Sequence, residues 1–185
     1  MTAVAPTLAS LPPQTLADLN RKITVLTTPP TSPIAALTVA ELEAGIEASC
    51  RVAKEGTRFS ATGSDTVEDG AVCQPVGASV PGKSNYEASI VPFRFFDEDV
   101  PGSADALGDV LFQALRIKGT PVTIVERHSN KKWDEPWAAG DEYSAYSVTT
   151  DNWQKQSDQH AGYIKHPIPL FVSDAEQNGK VAAGA

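Results

Sequence analysis

Residues 120–150, TPVTIVERHSNKKWDEPWAAGDEYSAYSVTT, contain two segments rich in β-branched and aromatic residues. Thr120–Arg127 and Asp141–Thr150 have the composition of β-strands. The segment between them is polar and contains proline and glycine, which favour turns. We therefore predict a hairpin-like pair of strands, in which Trp133 and Trp137 of the connection cover the end of a core.

Further strands are predicted on both sides of this pair, at Arg21–Leu26, Ile46–Val52, Tyr86–Phe96 and Gly162–Val172. The second of these alternates, with Ile46, Ala48, Cys50 and Val52 on one face and polar residues on the other. In the third, Pro92 lacks the backbone donor that a central strand position needs, which predicts an edge position or a bulge.

Two helices are predicted. Thr38–Glu41 has the pattern of a capping box at the start of a short helix. A longer helix should begin after Ser103 as N-cap and end at Lys118, before Gly119. Its apolar residues form one stripe that should lie on a sheet: Leu107, Val110, Leu111, Ala114 and Leu115.

These elements predict a mainly β (α+β) fold, a β-sandwich or barrel with one flanking α-helix. We expect an N-terminal arm at residues 1–33 with a strand in its middle, a main domain at 34–173, and a C-terminal tail at 174–185 that orders only against a partner. Residues 63–84 hold four glycines and two prolines and predict a long loop, which in a compact domain usually serves contacts.

The overall charge argues against several classes of function. The chain of 185 residues has a formal net charge of −8 and a pI near 4.8, unlike proteins that grip nucleic-acid phosphates. The spacing of Cys50 and Cys73 does not indicate a metal or redox site, so free thiols are expected. No segment has the ~20 apolar residues of a membrane helix, and the N-terminus does not have the pattern of a signal peptide.

Candidate catalytic patterns are weak. Asp134 and Glu135 are adjacent, so on an extended chain they point in opposite directions, unlike the facing carboxyl groups of a glycosidase. Gly77, Gly82, Lys83 and Ser84 match the spacing of a phosphate-binding loop, but a β-branched and aromatic segment follows where a helix is needed. We predict no catalytic residue, metal or cofactor.

Taken in order, several segments resemble one protein family. LTVAELEAGIEASC (37–50), the glycine-rich loop ending in VPGKSNYEASI (80–90), ADALGDVLFQALRIKGT (104–120), VERHSNKKWDEPWAAGDEYSAYSVTTDN (125–152) and HAGYIKHPIPLFV (160–172) are similar to the major tail protein, or tail tube protein, of long-tailed, siphovirus-type phages that infect actinobacteria. The resemblance covers residues 34–172.

This resemblance implies a structural virion protein without catalysis. Six copies would close into a ring, and rings would stack into a tube through which phage DNA passes without specific binding. The implied partners are other copies and further tail proteins, namely the tape measure, tail terminator and distal tail proteins. No membrane is involved, and assembly would take place in the host cytoplasm before the protein becomes part of the virion tail.

Two groups of residues follow as candidate sites. An acidic channel would keep DNA from adhering, and Glu47, Glu126 and Glu142 are candidates for its lining, although each could equally be an outward solvated residue. Inter-subunit contacts are expected at the long loop and the tryptophans: Ser64, Asp65, Glu68, Asp69, Trp133 and Trp137. The alternative function is a carbohydrate-binding or adhesion β-sandwich module of a tail or surface protein, using the tryptophans as platforms.

Overall fold

The computed structural model describes residues 14–69, 78–156 and 161–183. Two short α-helices, a 3₁₀ turn and nine strands follow one another along the chain. In order they are β1 (Arg21–Leu26), the 3₁₀ turn (Ile34–Ala36), α1 (Val39–Glu43), β2 (Ile46–Glu47), β3 (Arg58–Thr62), β4 (Thr66–Asp69), β5 (Ala78–Pro81), β6 (Asn85–Ile90), α2 (Val110–Leu115), β7 (Pro121–His128), β8 (Glu142–Thr150) and β9 (Ile168–Lys180).

Seven strands form one antiparallel sheet in the order β2-β1-β7-β8-β9-β6-β3, and β4 and β5 form a separate hairpin. The predicted pair at residues 120–150 lies at the centre of the sheet. Its register runs without a break from Pro121 opposite Thr149 to His128 opposite Glu142. The predictions of a mainly β fold and of a strand at Arg21–Leu26 are confirmed.

The sheet curls toward a barrel because residues 46–53 join its two sides. Ile46 and Glu47 pair with β1 as β2. A few residues later, the N–H of Ala53 donates to the carbonyl of Val91 at 2.8 Å, and Val52 forms an antiparallel bridge with Pro92. One short segment therefore connects the β1 side of the sheet to the β6 side.

Each face of the sheet carries its own core. The concave face packs against α2 and contains Ile23, Val25, Ala48, Val52, Ala88, Ile90, Leu111, Phe112, Leu115, Val122, Ile124, Tyr146, Val148, Ile168 and Leu170. The convex face is covered by the 3₁₀ turn, α1 and the β7–β8 loop, with Leu26, Leu37, Leu42, Val125, Trp137, Tyr143, Ala145 and Val181. Burial of these side chains is the main stabilising term of the fold.

The capping box that predicted α1 is confirmed. The backbone N–H of Glu41 donates to the Thr38 hydroxyl at 3.3 Å, and the Glu41 carboxylate accepts from the Thr38 N–H at 3.0 Å. Thr31 and Ser32 also donate backbone N–H groups to this carboxylate. Burial by itself raises the pKa of Glu41, but these hydrogen bonds outweigh it and hold the pKa well below its ordinary value.

The longer helix predicted from Ser103 to Lys118 is wrong in its first half and was predicted to end three residues too late. The α-helix covers only Val110–Leu115, and Leu107, predicted to lie on the sheet, is 79% exposed. The reason is Asp105, whose side chain accepts from the N–H of Leu107 and whose own N–H donates to the carbonyl of Phe95. Such local side-chain bonds compete with helix formation.

The strand predicted over Ile46–Val52 ends at Glu47. The chain then turns, with the N–H of Arg51 donating to the carbonyl of Ala48 at 2.8 Å, and Cys50 is exposed instead of facing inward with Val52. The alternating pattern was misleading because this segment must cross from one side of the sheet to the other.

The C-terminal segment also differs from the prediction. Residues 174–180, expected to belong to a tail, continue β9 and pair with β8, and Ala182 beyond them bridges to Thr38. Their small and polar side chains are compatible with a strand because only part of this strand faces a core.

Two further expectations concern residues 63–96. The segment predicted as a long loop contains the hairpin strands β4 and β5, while residues 70–77, with Cys73 and Gly77, lie outside the described residues. β6 is not an edge strand, since it lies between β9 and β3, and it ends at Ile90 before Pro92.

No helix in the described ranges is long and apolar enough to cross a membrane.

The N-terminus of α2 is held by a buried carboxylate. Asp109, with no exposed surface, accepts hydrogen bonds from Arg94 Nε at 2.9 Å, from the Phe95 N–H at 3.0 Å and from Gln113 Nε2 at 2.6 Å. Burial alone raises the pKa of Asp109, but these hydrogen bonds and the Arg94 charge outweigh it, so the pKa lies below its ordinary value.

We predict that Asp109→Asn lowers the free energy of unfolding at pH 7 by about 3 kcal/mol, because Arg94 loses its buried partner. Since the folded-state pKa of Asp109 is lowered, its contribution is present above about pH 4 and is lost as the pH falls through that folded value. Urea unfolding at pH 7 and pH 3 measures both effects. The exposed control Asp99→Asn should change neither, and an unchanged stability of Asp109→Asn would contradict the assignment.

Candidate functional site

The β7–β8 connection, with the two tryptophans, is organised by one buried guanidinium. Arg127 has no exposed surface, and its Nη atoms donate to the backbone carbonyls of Glu135, Pro136 and Lys132. Its guanidinium also lies 5.5 Å from the centre of the Trp137 ring. A planar group with several fixed donors can hydrogen-bond to several carbonyls of an irregular loop in this way.

Trp137 belongs to the core. It is 3% exposed, its indole N–H donates to the Thr24 hydroxyl at 3.0 Å, and its ring meets Tyr143 edge to face with centroids 6.5 Å apart. Of the two roles predicted for it, covering a core end is confirmed, and the side chain is not available to stack on a sugar. Trp133 is half-buried, and its backbone N–H donates to the carbonyl of Leu19 at 2.9 Å.

A largely apolar cavity of about 570 Å³ opens beside Trp133. It is lined by residues from the N-terminal segment, from the crossing segment 46–53 and from the starts of β1 and β3, among them Leu19, Ile23, Cys50 and Phe59. The Cys50 thiol borders it, but burial and the nearby Glu47 charge raise the pKa of this thiol, which lowers its reactivity at neutral pH.

The three acidic residues predicted to line a channel differ in exposure. Glu126 is 7% exposed and is ion-paired with Arg21. Glu47 is half-buried, and its carboxylate lies 3.3 Å from Lys22 Nζ. The Glu142 side chain is 63% exposed, and its carboxylate lies 3.2 Å from Lys180 Nζ. Only Glu142 therefore presents a largely accessible carboxylate in the isolated subunit.

The residues predicted for inter-subunit contacts lie at the β4–β5 hairpin and the β7–β8 loop. Asp65 closes the base of the hairpin, where its N–H donates to the carbonyl of Lys83 and its side chain accepts from Asn85 Nδ2. Ser64 precedes it and is exposed. In β4, the backbones of Glu68 and Asp69 pair with Ser79 and Ala78.

The hairpin extends beyond the main sheet. Val67 and Val80, which oppose each other in it, are each 50% exposed. A hairpin of two strands without a packed face has only marginal stability by itself in water, so these residues are well placed to contact another molecule.

After Ser84 the chain enters β6 and not a helix, so the phosphate-loop spacing at this position has no helix N-terminus to bind an anion.

Several strand edges of the main sheet have no strand partner within the described residues, and one of them is the outer side of the two-residue strand β2. β9 pairs with β8 as far as Lys180, but with β6 only at residues 168–170, so one side of residues 171–177 is open. The outer side of β3 is open in the same way. Sequence analysis missed the β9 edge because residues 174–185 were assigned to a tail.

The described residues hold no cluster of three metal-ligating side chains. His166 packs against the rings of Trp153 and Phe112, with centroids 4.6 and 5.4 Å away, and both its partial burial and the Arg94 charge lower its pKa. His128 contacts the Ser144 hydroxyl at 3.0 Å. His160 lies outside the described ranges. These contacts place His128 and His166 in separate packing environments.

The chain is similar to a known protein family and to a solved structure. A family model described as phage tail tube protein matches residues 9–185. Among solved structures, the chain is similar to one in the cryo-EM structure of the anti-feeding prophage baseplate, 6-fold symmetrised, with 13% identity, coverage of 90% of this chain and 97% of that chain, and a TM-score of 0.47. The search of curated proteins found no match.

We predict that Arg127→Lys lowers the free energy of unfolding by about 3 kcal/mol, because an ammonium group cannot reach all three carbonyls and leaves a buried charge poorly paired. Urea denaturation measures the change. Arg21→Lys is the matched control, since the Arg21 side chain is 53% exposed and a lysine there keeps a positive charge beside Glu126, so the substitution should cost about 1 kcal/mol or less. Equal effects of the two substitutions would contradict the role given to Arg127.

Proposed function

The chain belongs to the phage tail tube protein family, and we propose that it is the major tail tube subunit, whose copies close into six-membered rings that stack around a channel for phage DNA. It is a structural protein of the virion tail. The earlier resemblance to proteins of phages infecting actinobacteria extends the proposal to such a host, with assembly in its cytoplasm. The tape measure, tail terminator and distal tail proteins are the proposed partners.

The proposal of a ring rests on the open edges of the main sheet. Residues 171–177 and the outer side of β3 each present backbone groups without a strand partner among the described residues. Such edges invite pairing with another chain. If the two edges pair with each other, the contact is heterologous, and rotation about one axis closes it into a ring.

The proposed channel is negatively charged. With a net charge of −8 on each copy, the assembled tube is strongly acidic, and a lining of this sign does not bind DNA by releasing counterions. Among the three candidates, Glu142 contributes most to the lining because its side chain is 63% exposed. Glu47 contributes less because it is half-buried, and Glu126 least because it is 7% exposed; all three carboxylates lie within 4 Å of a basic side chain, so exposure sets their order.

The β4–β5 hairpin is the proposed contact between rings, and Ser64, Asp65, Glu68 and Asp69 take part in it. Trp133, half-buried beside Leu19, is the proposed contact of the β7–β8 loop. Trp137 is 3% exposed, and in this proposal it supports the loop from inside so that Trp133 can form the contact.

Electron microscopy of the concentrated protein tests this function directly, alone and with the partner tail proteins added. Six-fold rings or tubes support the proposal. A monomer that persists at all salt and protein concentrations, even with those partners present, counts against it. Isolated subunits can remain monomeric until an initiating complex is present, because ordering their contacts costs free energy.

We predict that replacing residues 66–81 with a short Gly-Ser-Gly link abolishes tube formation but leaves the subunit folded. Asp65 and Gly82 are already hydrogen-bonded at the base of the hairpin, at 2.6 Å, so a short link should span them. Thermal unfolding should stay within a few degrees of the parent, while microscopy should show single rings or monomers. The control replaces only Val67 and Val80 with Thr, which keeps β-propensity and should weaken stacking less. Normal tubes from the deletion variant would rule out the hairpin as the contact between rings.

A further inference from the structure

We infer that residues 1–13 of this chain dock into the apolar cavity of their own subunit, the cavity of about 570 Å³ beside Trp133. These residues lie outside the described ranges. In the docked state they cover apolar side chains that otherwise face water. The inference concerns the free subunit and does not depend on the proposed tube function.

The floor of the cavity is an incompletely covered part of the main core. Ile23 and Val52, each 9% exposed, belong to the concave core, and the half-buried Phe59 packs against it. All three residues line the cavity. Apolar side chains of a further segment can therefore continue the core at this point, and their burial is favoured in proportion to the area removed from water.

The charged residues around the cavity already have partners. Five charged side chains line it: Asp18, Arg21, Lys54, Arg58 and Glu126. Asp18 is paired with Lys54 at 2.7 Å, Arg21 is paired with Glu126, and Arg58 lies 3.8 Å from Glu87. A charged occupant must compete with these pairs or bury a charge without a partner, which is costly. The cavity therefore favours an uncharged and apolar segment.

Residues 1–13, MTAVAPTLASLPP, have this composition. Their side chains carry no formal charge, and Met1, Val4, Leu8 and Leu11 are apolar residues spaced three or four positions apart. Three prolines restrict the backbone before docking, which reduces the conformational entropy that docking costs.

The other segments outside the described ranges fit the cavity less well. Residues 70–77 are uncharged, but they join the two strands of the β4–β5 hairpin, which extends beyond the main sheet. Residues 157–160 include Asp158 and His160, and residues 184–185 are only a glycine and an alanine. The N-terminal segment is also close along the chain, because Ala17 already lines the cavity.

A fixed turn leads the chain to the rim of the cavity. The backbone N–H of Asn20 donates to the carbonyl of Ala17 at 3.2 Å, and its side-chain Nδ2 donates to the carbonyl of Leu16 at 2.8 Å. Leu19 has a φ of 66°, a strained conformation for leucine that neighbouring contacts must hold. The N–H of Trp133 donates to its carbonyl. The turn reverses the chain just before β1, so the preceding residues are directed back toward the sheet.

The reactivity of Cys50 tests the docking, because this residue lines the cavity. The parent carries Cys73→Ser, which leaves Cys50 as its single thiol. Replacing both Leu8 and Leu11 with Asp should expel the segment, because charged side chains are costly to bury in an apolar cavity. Maleimide labelling of Cys50 should then become roughly tenfold faster at about pH 8.5, where more of the thiol is ionised.

The matched control is Thr7→Asp with Ser10→Asp, which adds the same charge at polar positions. It should change the labelling rate by less than about twofold, because polar side chains are expected to face water. Thermal unfolding checks that both variants keep the fold. A folded Leu8→Asp and Leu11→Asp variant that labels at the parent's rate would overturn the docking. Equal acceleration in the two variants would overturn it as well.

Dilution distinguishes docking within one subunit from docking between copies. A segment attached to its own subunit has an effective concentration that does not depend on the protein concentration. The labelling rate of the parent should therefore stay constant over a roughly hundredfold dilution. A rate that rises on dilution would show that a second copy supplies the segment, and would overturn the inference. Either failure leaves the tube function standing, because labelling is measured on the free subunit.

Discussion

Each strand of a sheet has backbone donors and acceptors on two sides, and the need to pair them shapes this molecule. β7 and β8 are paired on both sides, and β1 is paired with β7 along its length and with β2 at Thr24 and Val25. Further edges are covered by irregular segments, namely residues 46–53 and the residues around the bridge between Thr38 and Ala182. The edges that remain open among the described residues include the outer sides of β2 and β3 and one side of residues 171–177. The interaction that folds the chain is therefore also available for joining copies of it.

The body of the subunit is suited to a rigid frame. β7 and β8 form an uninterrupted ladder at the centre of the sheet, with a core on each face. Arg127 fixes the loop that joins them, and Tyr143 fixes the 3₁₀ turn, since its hydroxyl donates to the carbonyl of Ile34 and accepts from the N–H of Leu37. The proposed contacts with other molecules, the hairpin and the open edges, lie outside this frame. A subunit built in this way can make contacts without rearranging its core.

The sequence predicted the elements whose signals are local. The capping box at Thr38 and the β-branched residues of β7 and β8 identify their elements without tertiary information. Prediction failed at Asp105, whose side chain accepts from the nearby N–H of Leu107 and whose own N–H donates to the carbonyl of Phe95, so that α2 begins only at Val110. The last strand was predicted over Gly162–Val172, but β9 covers Ile168–Lys180. It was predicted to end too early because Asp174 and Glu176 resemble a solvated tail, although they border an edge of the sheet. Burial of Arg127 could not be predicted, since arginine is usually exposed.

The arrangement of the strands also makes the two ends of the sheet chemically different. At one end of the sheet, Arg21 of β1 lies opposite His128 of β7, and Glu142 of β8 lies opposite both His128 and Lys180 of β9. The start of β1 and the end of β9 therefore lie at the end of the sheet that carries the β7–β8 loop. The other end carries α2 and the exposed rings of Phe96, Trp153 and Tyr163. A filament in which every subunit points the same way is therefore polar. Its two tips expose unlike surfaces, so one tip can elongate while a different protein caps the other.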